Sequence, residues 1–168
     1  IENDLAVMLQ ALGQLPRAEL MARRSLASWV GVAHTETLSW LVLATTLTSA
    51  GRHGEALTAF ERALQLGHAQ TSPLFVAEAL VRRARLHLQC GNETLACEDL
   101  DCAEPLMRGS TDPMRVSQFA WLRVRCQVAR RETVDRSWLD QLHTLTQRSV
   151  HPLLHVRLAG IEAEIALL

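Results

Sequence analysis

The chain has 168 residues, 48% of them hydrophobic, and a formal net charge of −1. That length suffices for a substantial core, and the composition excludes a disordered chain. Near-neutrality excludes a protein whose whole surface tracks nucleic acid, although all 17 Lys-plus-Arg positions are arginine.

Glycine and proline set the elements. Residues 3–29 read as a first helical hairpin that turns at Gly13, with Pro16 opening its second helix. Proline at the first helical position loses nothing, because the N–H there has no intrahelical partner. Residues 36–66 read as a second hairpin turning at Gly51. A third spans 73–104 and turns at Gly91 and Asn92, with Pro105 expected to end it. A fourth spans 113–147 and turns near Arg131 and Glu132, and a last helix covers 152–168. Pro73, Pro113 and Pro152 lie 40 and 39 residues apart and come directly after Ser72, Asp112 and His151, each able to precede a helix.

The hairpins share a skeleton. In the second it is Trp40, Leu43, Ala44, Leu47, Gly51, Ala56, Phe60, Ala63 and Leu64. Upstream it recurs as Ala6, Leu9, Gly13, Ala18 and Ala22, and downstream as Ala84, Gly91, Ala96, Leu100 and Ala103. Small residues at helical spacing let two helices approach closely, and the glycine closes the first helix in a left-handed conformation. The glycines step by 38 and then 40 residues. This regularity predicts an all-α stacked array, one helical-repeat domain over 1–168. In the fourth unit Arg131 stands where a glycine belongs and Arg136 where an alanine does, yet Trp138, Leu139, Leu142 and Leu145 keep an apolar stripe. The last helix either covers the end of the stack or begins a fifth hairpin. The start at Ile1 and the stop at Leu168 inside an apolar pattern read as a piece of a longer protein.

Several chemistries drop out. No segment reads as a signal peptide. The longest apolar run, around 38–47, is interrupted by Thr45 and Thr46 and is about half the roughly 20 residues of a membrane helix. Cys90, Cys97, Cys102 and Cys126 read as unpaired, buried, inert thiols in a reducing compartment. Cys97 and Cys102 sit about 140° apart on one helix, and there is no CxxC pair. His151 and His155 have chelating spacing only if both lie on the helix, and Pro152 leaves His151 outside it. No metal or cofactor is expected. Asn92-Glu93-Thr94 and Gly51-Arg52-His53-Gly54 read as turns, not as a glycosylation site or phosphate cradle. No spacing orders serines, histidines and acids into a triad or a carboxylate pair, so no enzyme is expected.

The second unit resembles the tetratricopeptide repeat at all nine skeleton positions named above. The third and first units match through fewer positions, with His87 replacing a large apolar residue. The resemblance implies a right-handed α-α superhelix that binds proteins or peptides. A period near 40, together with segments such as 79–96 and Ser137-Trp138-Leu139, is similar to the superhelical domain of MalT-like and LuxR-type bacterial transcription activators. There such a domain senses an effector or holds a partner, while other domains bind nucleotide and DNA. This second resemblance implies a cytoplasmic regulatory protein with no nucleic-acid or membrane contact by this segment.

First helices of stacked hairpins line the concave face. That face should carry Leu41, Val42, Thr45 and Thr48, then Glu78, Val81, Arg82, Arg85 and Gln89, then Trp121, Leu122 and Arg125. Arginine presents a planar fork suited to carboxylates and phosphates, so a protein or peptide with apolar and acidic groups, or a small effector, would fit. The competing reading pairs these arginines internally with Glu93, Glu98, Asp99, Asp101 and Glu104. The family's carboxylate clamp is matched only by Asn3 and Arg82, while Val7, Val42 and Glu78 fill its other places. Two rival functions are a homodimerising assembly module and, more remotely, an enzyme on a helical scaffold.

Overall fold

The computed structural model describes residues 2–130, 132–134, 136–148 and 152–166. Among them are nine helices and no strand. They are α1 (Glu2–Ala11), α2 (Leu15–Ser28), α3 (Ala33–Ser49), α4 (His53–Ala69), α5 (Pro73–Gln89), α6 (Glu93–Met107), α7 (Pro113–Ala129), α8 (Ser137–Gln147) and α9 (Pro152–Ala166). Each helix packs on its chain neighbour, and each odd-numbered helix also packs on the next odd-numbered one. The even-numbered helices do not pack on one another among the described residues. Odd helices therefore sit inside the curve and even helices outside, the arrangement of an all-α solenoid.

Close packing comes from the small residues. Ala6, Ala18, Ala22, Ala44, Ala56, Ala63, Ala84, Ala96 and Ala103 are all 0% exposed. They sit where helices cross, and Phe60, Leu43, Leu47, Leu86, Leu100, Phe119, Leu122 and Leu142 fill the space around them. Burying each large side chain contributes roughly 1.5–3 kcal/mol. In α3 the buried hydroxyls bond back along the helix: Thr37 donates to the Ala33 carbonyl and Thr46, within the apolar run, to that of Val42, both at 2.8 Å. A buried hydroxyl so satisfied adds little cost.

Each hairpin turn repeats one hydrogen bond. The amides of Gln14, Arg52, Asn92 and Glu132 donate to the carbonyls of Leu9, Leu47, His87 and Gln127 at 2.8–3.0 Å. This six-to-one bond requires a left-handed residue just before the donor. Gly13, Gly51 and Gly91 supply it, with φ of 71°, 74° and 75°. The fourth turn keeps the bond, although Arg131 itself lies outside the described residues. His151, the residue before α9, lies outside them too.

The structure corrects two expectations. Pro105 does not end the third hairpin: α6 runs through it to Met107. The missing proline N–H costs one bond near the helix end, and the buried Ala103 and Met107 on either side hold the last turn in place. The four cysteines are free but not all buried: Cys97 and Cys126 are, whereas Cys90 and Cys102 are exposed. Cys90 caps the end of α5, and its Sγ lies 3.2 Å from His53 Nδ1. Cys102 faces away from Cys97 on α6. Burial first, and the neighbouring Cys97 second, push the Cys126 thiol up to about 12.

Candidate functional site

The inner face is carried by α1, α3, α5, α7 and α9, and three cavities succeed one another along it. The first, about 210 Å³, has walls from Val7, Leu41, Val42, Phe75, Glu78 and Arg82, with Arg115 and Asn3 at its edge. The second, about 240 Å³, gathers Gln10, Thr45, Thr48, Arg82, Arg85 and Gln89 above Phe60. The third, about 440 Å³, lies between Arg85, Ser117, Gln118 and Trp121 on one side and Val156 and Gly160 of α9 on the other.

Arginines on this face fall into three states. Arg82 donates twice to Glu78 Oε1, at 2.8 and 2.5 Å, and Arg115 donates to Glu78 Oε2 at 3.0 Å. Arg125 stacks over the Trp121 ring, 5.2 Å from its centroid. Arg85 is exposed and has no hydrogen-bond or ion-pair partner among the described residues, and it lines both the second and third cavities. Internal pairing with α6 is real but selective. Arg83 forms a bidentate bond to Asp99 at 2.9 and 2.6 Å. Asp101 takes Arg123 and Arg130 from the next hairpin. Burial alone would raise the Asp101 carboxyl, but hydrogen bonds from those two guanidiniums outweigh it and hold it below its usual value.

Of the residues read onto the concave face, Thr45, Thr48, Arg82, Arg85 and Gln89 meet around the second cavity. Leu41 supports the first cavity's wall, and Arg85 meets Trp121 in the third. Arg125 reaches the site through its stack on Trp121. Leu122 and Val81 do not belong to the face; both are buried, because their positions turn toward the hairpin core. The hydroxyls are partly spent. Thr45 donates to the Leu41 and Val42 carbonyls at 3.1 and 2.9 Å, and Thr48 donates to that of Ala44 at 2.8 Å, so toward a ligand both offer lone pairs.

Sequence reasoning missed Gln118, Ser117, Val156 and Gly160. Gln118 lies 40 residues after Glu78, so the repeat period itself points to it. Val156 and Gly160 required giving α9 a groove face. Among the described residues no group of three His, Cys, Asp or Glu side chains is placed to hold a metal, and no helix is long and apolar enough to cross a membrane.

A sequence model of the tetratricopeptide repeat matches residues 3–32 and 41–69, which take in the first hairpin and most of the second. No curated protein and no solved structure matches the chain. The matched segments carry the left-handed turn glycines Gly13 and Gly51, fully buried alanines and the inner-face helices α1 and α3. On these grounds residues 3–32 and 41–69 are tetratricopeptide repeats within an all-α array, and such repeats suggest a scaffold for protein interaction.

Proposed function

We propose that all 168 residues work as one array whose inner face holds a protein segment bearing apolar and acidic groups, within the sensor domain of a cytoplasmic bacterial transcription activator. The observation that carries the binding reading is Arg85, a guanidinium without a partner among the described residues, set between two cavities on the inner face. An acidic side chain docked there would gain a charge-assisted hydrogen bond, and the apolar walls at Val7, Leu41 and Phe75 would take neighbouring anchors. Asn3 Oδ1, buried and without a partner among the described residues, stands ready to accept an N–H at the first cavity. The regulator setting rests on the repeat period near 40. DNA would then be reached through another domain, and ligand binding would act by favouring one curvature of the superhelix over another.

Selection of random peptides on the folded chain tests the binding reading. Enriched sequences should combine Asp or Glu with large apolar residues. The Arg82→Glu, Arg85→Glu double variant should keep its helical circular dichroism and lose those peptides. Undiminished binding by the folded double variant would sink the groove reading.

A further inference from the structure

The third cavity differs from the rest of the face. At about 440 Å³ it is the size of a small-molecule site rather than a slot for one side chain. Its walls come from three successive inner helices, α5, α7 and α9, so a ligand there would tie the last helix to the array. One wall is aromatic, and the Trp121 ring is held in place by Arg125 stacked 5.2 Å from its centroid. Val156, 68% exposed, presents an apolar rim opposite. Gln118 supplies a side-chain amide, and Arg85 supplies the one guanidinium of the lining among the described residues.

The geometry points to a binding site for a small monocarboxylate with an aromatic or aliphatic body. Arg85 is the element of recognition. Its two donors match a carboxylate in a planar fork, and no acid of the protein occupies them among the described residues. This cation also sets the charge. Arg85 balances a monoanion, whereas a phosphomonoester, carrying close to two negative charges, would bring a second charge for which no other cation lines the cavity among the described residues, Arg125 being stacked on Trp121. The apolar walls require more than a bare anion: acetate would leave them wet, and a ring or chain would fill them. This inference rests on the reading of the odd-helix face as the binding face, and it adds a second kind of ligand at one end of that face.

The test uses indole-3-propionate, 1-naphthoate and octanoate, each beside its primary amide. Binding is followed by the indole N–H signals of the four tryptophans in a nitrogen-correlated NMR spectrum, with Trp121 assigned from Trp121→Phe. At least one carboxylate should shift the Trp121 signal selectively, with its amide weaker by about tenfold or more. Arg85→Gln should abolish the preference for the acid. Val156→Trp, which fills the cavity and leaves Arg85 in place, should abolish binding altogether. Equal binding of acid and amide, no Trp121 response at millimolar concentration, or tighter binding of phenyl phosphate than of the carboxylates would each overturn the assignment. Retention of selected acidic peptides alongside such a failure would leave the groove reading standing; loss of the peptides alone would leave the carboxylate site standing.

Discussion

His87 departs from the apolar pattern of its repeat, and the departure has an energetic cost. The same skeleton position is filled by Leu9 and Leu47 in the first two hairpins, and His87 is buried as they are. Its Nε2 lies 3.8 Å from Asp99 Oδ2, too far for a hydrogen bond, and Asp99 is already held in bidentate contact by Arg83. Burial lowers the imidazole's pKa, and the attraction of Asp99 only partly offsets this. The unfolded chain therefore takes up the proton at a higher pH than the folded one. The stability associated with His87 is complete above the unfolded value, near 6.5, and is lost as pH falls toward the lower folded value. His87→Leu should stabilise the protein by about 1 kcal/mol at neutral pH, because an apolar side chain at this buried position replaces an imidazole that loses most of its solvation and lies too far from Asp99 to bond it. It should also flatten the fall in stability as pH drops below the unfolded value near 6.5. Urea denaturation of both proteins at several pH values checks this; parallel curves would show that His87 does not govern the acid limb.

At the scale of elements, the links between hairpins form a second ladder. Gly31 and Gly109 have φ of 81°, and between them Thr71 has φ of 50°. A β-branched residue in the left-handed region is strained by about 1–2 kcal/mol, and no side-chain requirement at this link explains it. Thr71→Gly should therefore raise stability by about 1 kcal/mol once the added freedom of the unfolded glycine is subtracted. Gly31→Thr should do the reverse even though a Cβ there meets nothing within 4 Å, because the penalty is in the backbone. Thermal melts of both variants decide the matter, and a Thr71→Gly protein no more stable than the parent would contradict it. The same ladder explains what was legible in the sequence. Turn glycines, helix-opening prolines and buried alanines act locally, through φ and close approach, so their positions can be counted along the chain. The site was legible only by register. Arg85, Thr45 and Trp121 come from counting along first helices. Leu122 did not, because one step around a helix, about 100°, separates groove from core. Val156 and Gly160 depend on α9 returning to α7, a tertiary fact that no local signal carries.

For the whole molecule, an array with neighbour-only contacts makes a claim that a single globular core does not. Among the described residues helix α9 packs on α7 and α8 and on no earlier helix, and it buries Leu154, Leu158 and Ile161. In such an assembly stability is a sum of unit and interface terms, so damage at one end should fade with distance along the stack. A chain ending at residue 148 should lose amide protection in α7 and α8, whose apolar residues Leu139, Leu142 and Trp138 lose their cover. Protection in α3 and α4 should stay close to that of the parent. Phe60, Leu47, Leu86 and Leu100 fill the part of the continuous core between the second and third hairpins, and among the described residues the helices of these hairpins do not pack on α9. Hydrogen exchange read by mass spectrometry on peptides from each hairpin separates the two pictures. A graded loss, steepest at α7 and α8 and absent at α3, is the signature of the array. Uniform loss across all hairpins would mean that the chain unfolds as one cooperative core. The inner face would then be a property of the whole rather than of successive pairs of helices, and a ligand at the α9 end could not change one junction without changing all of them.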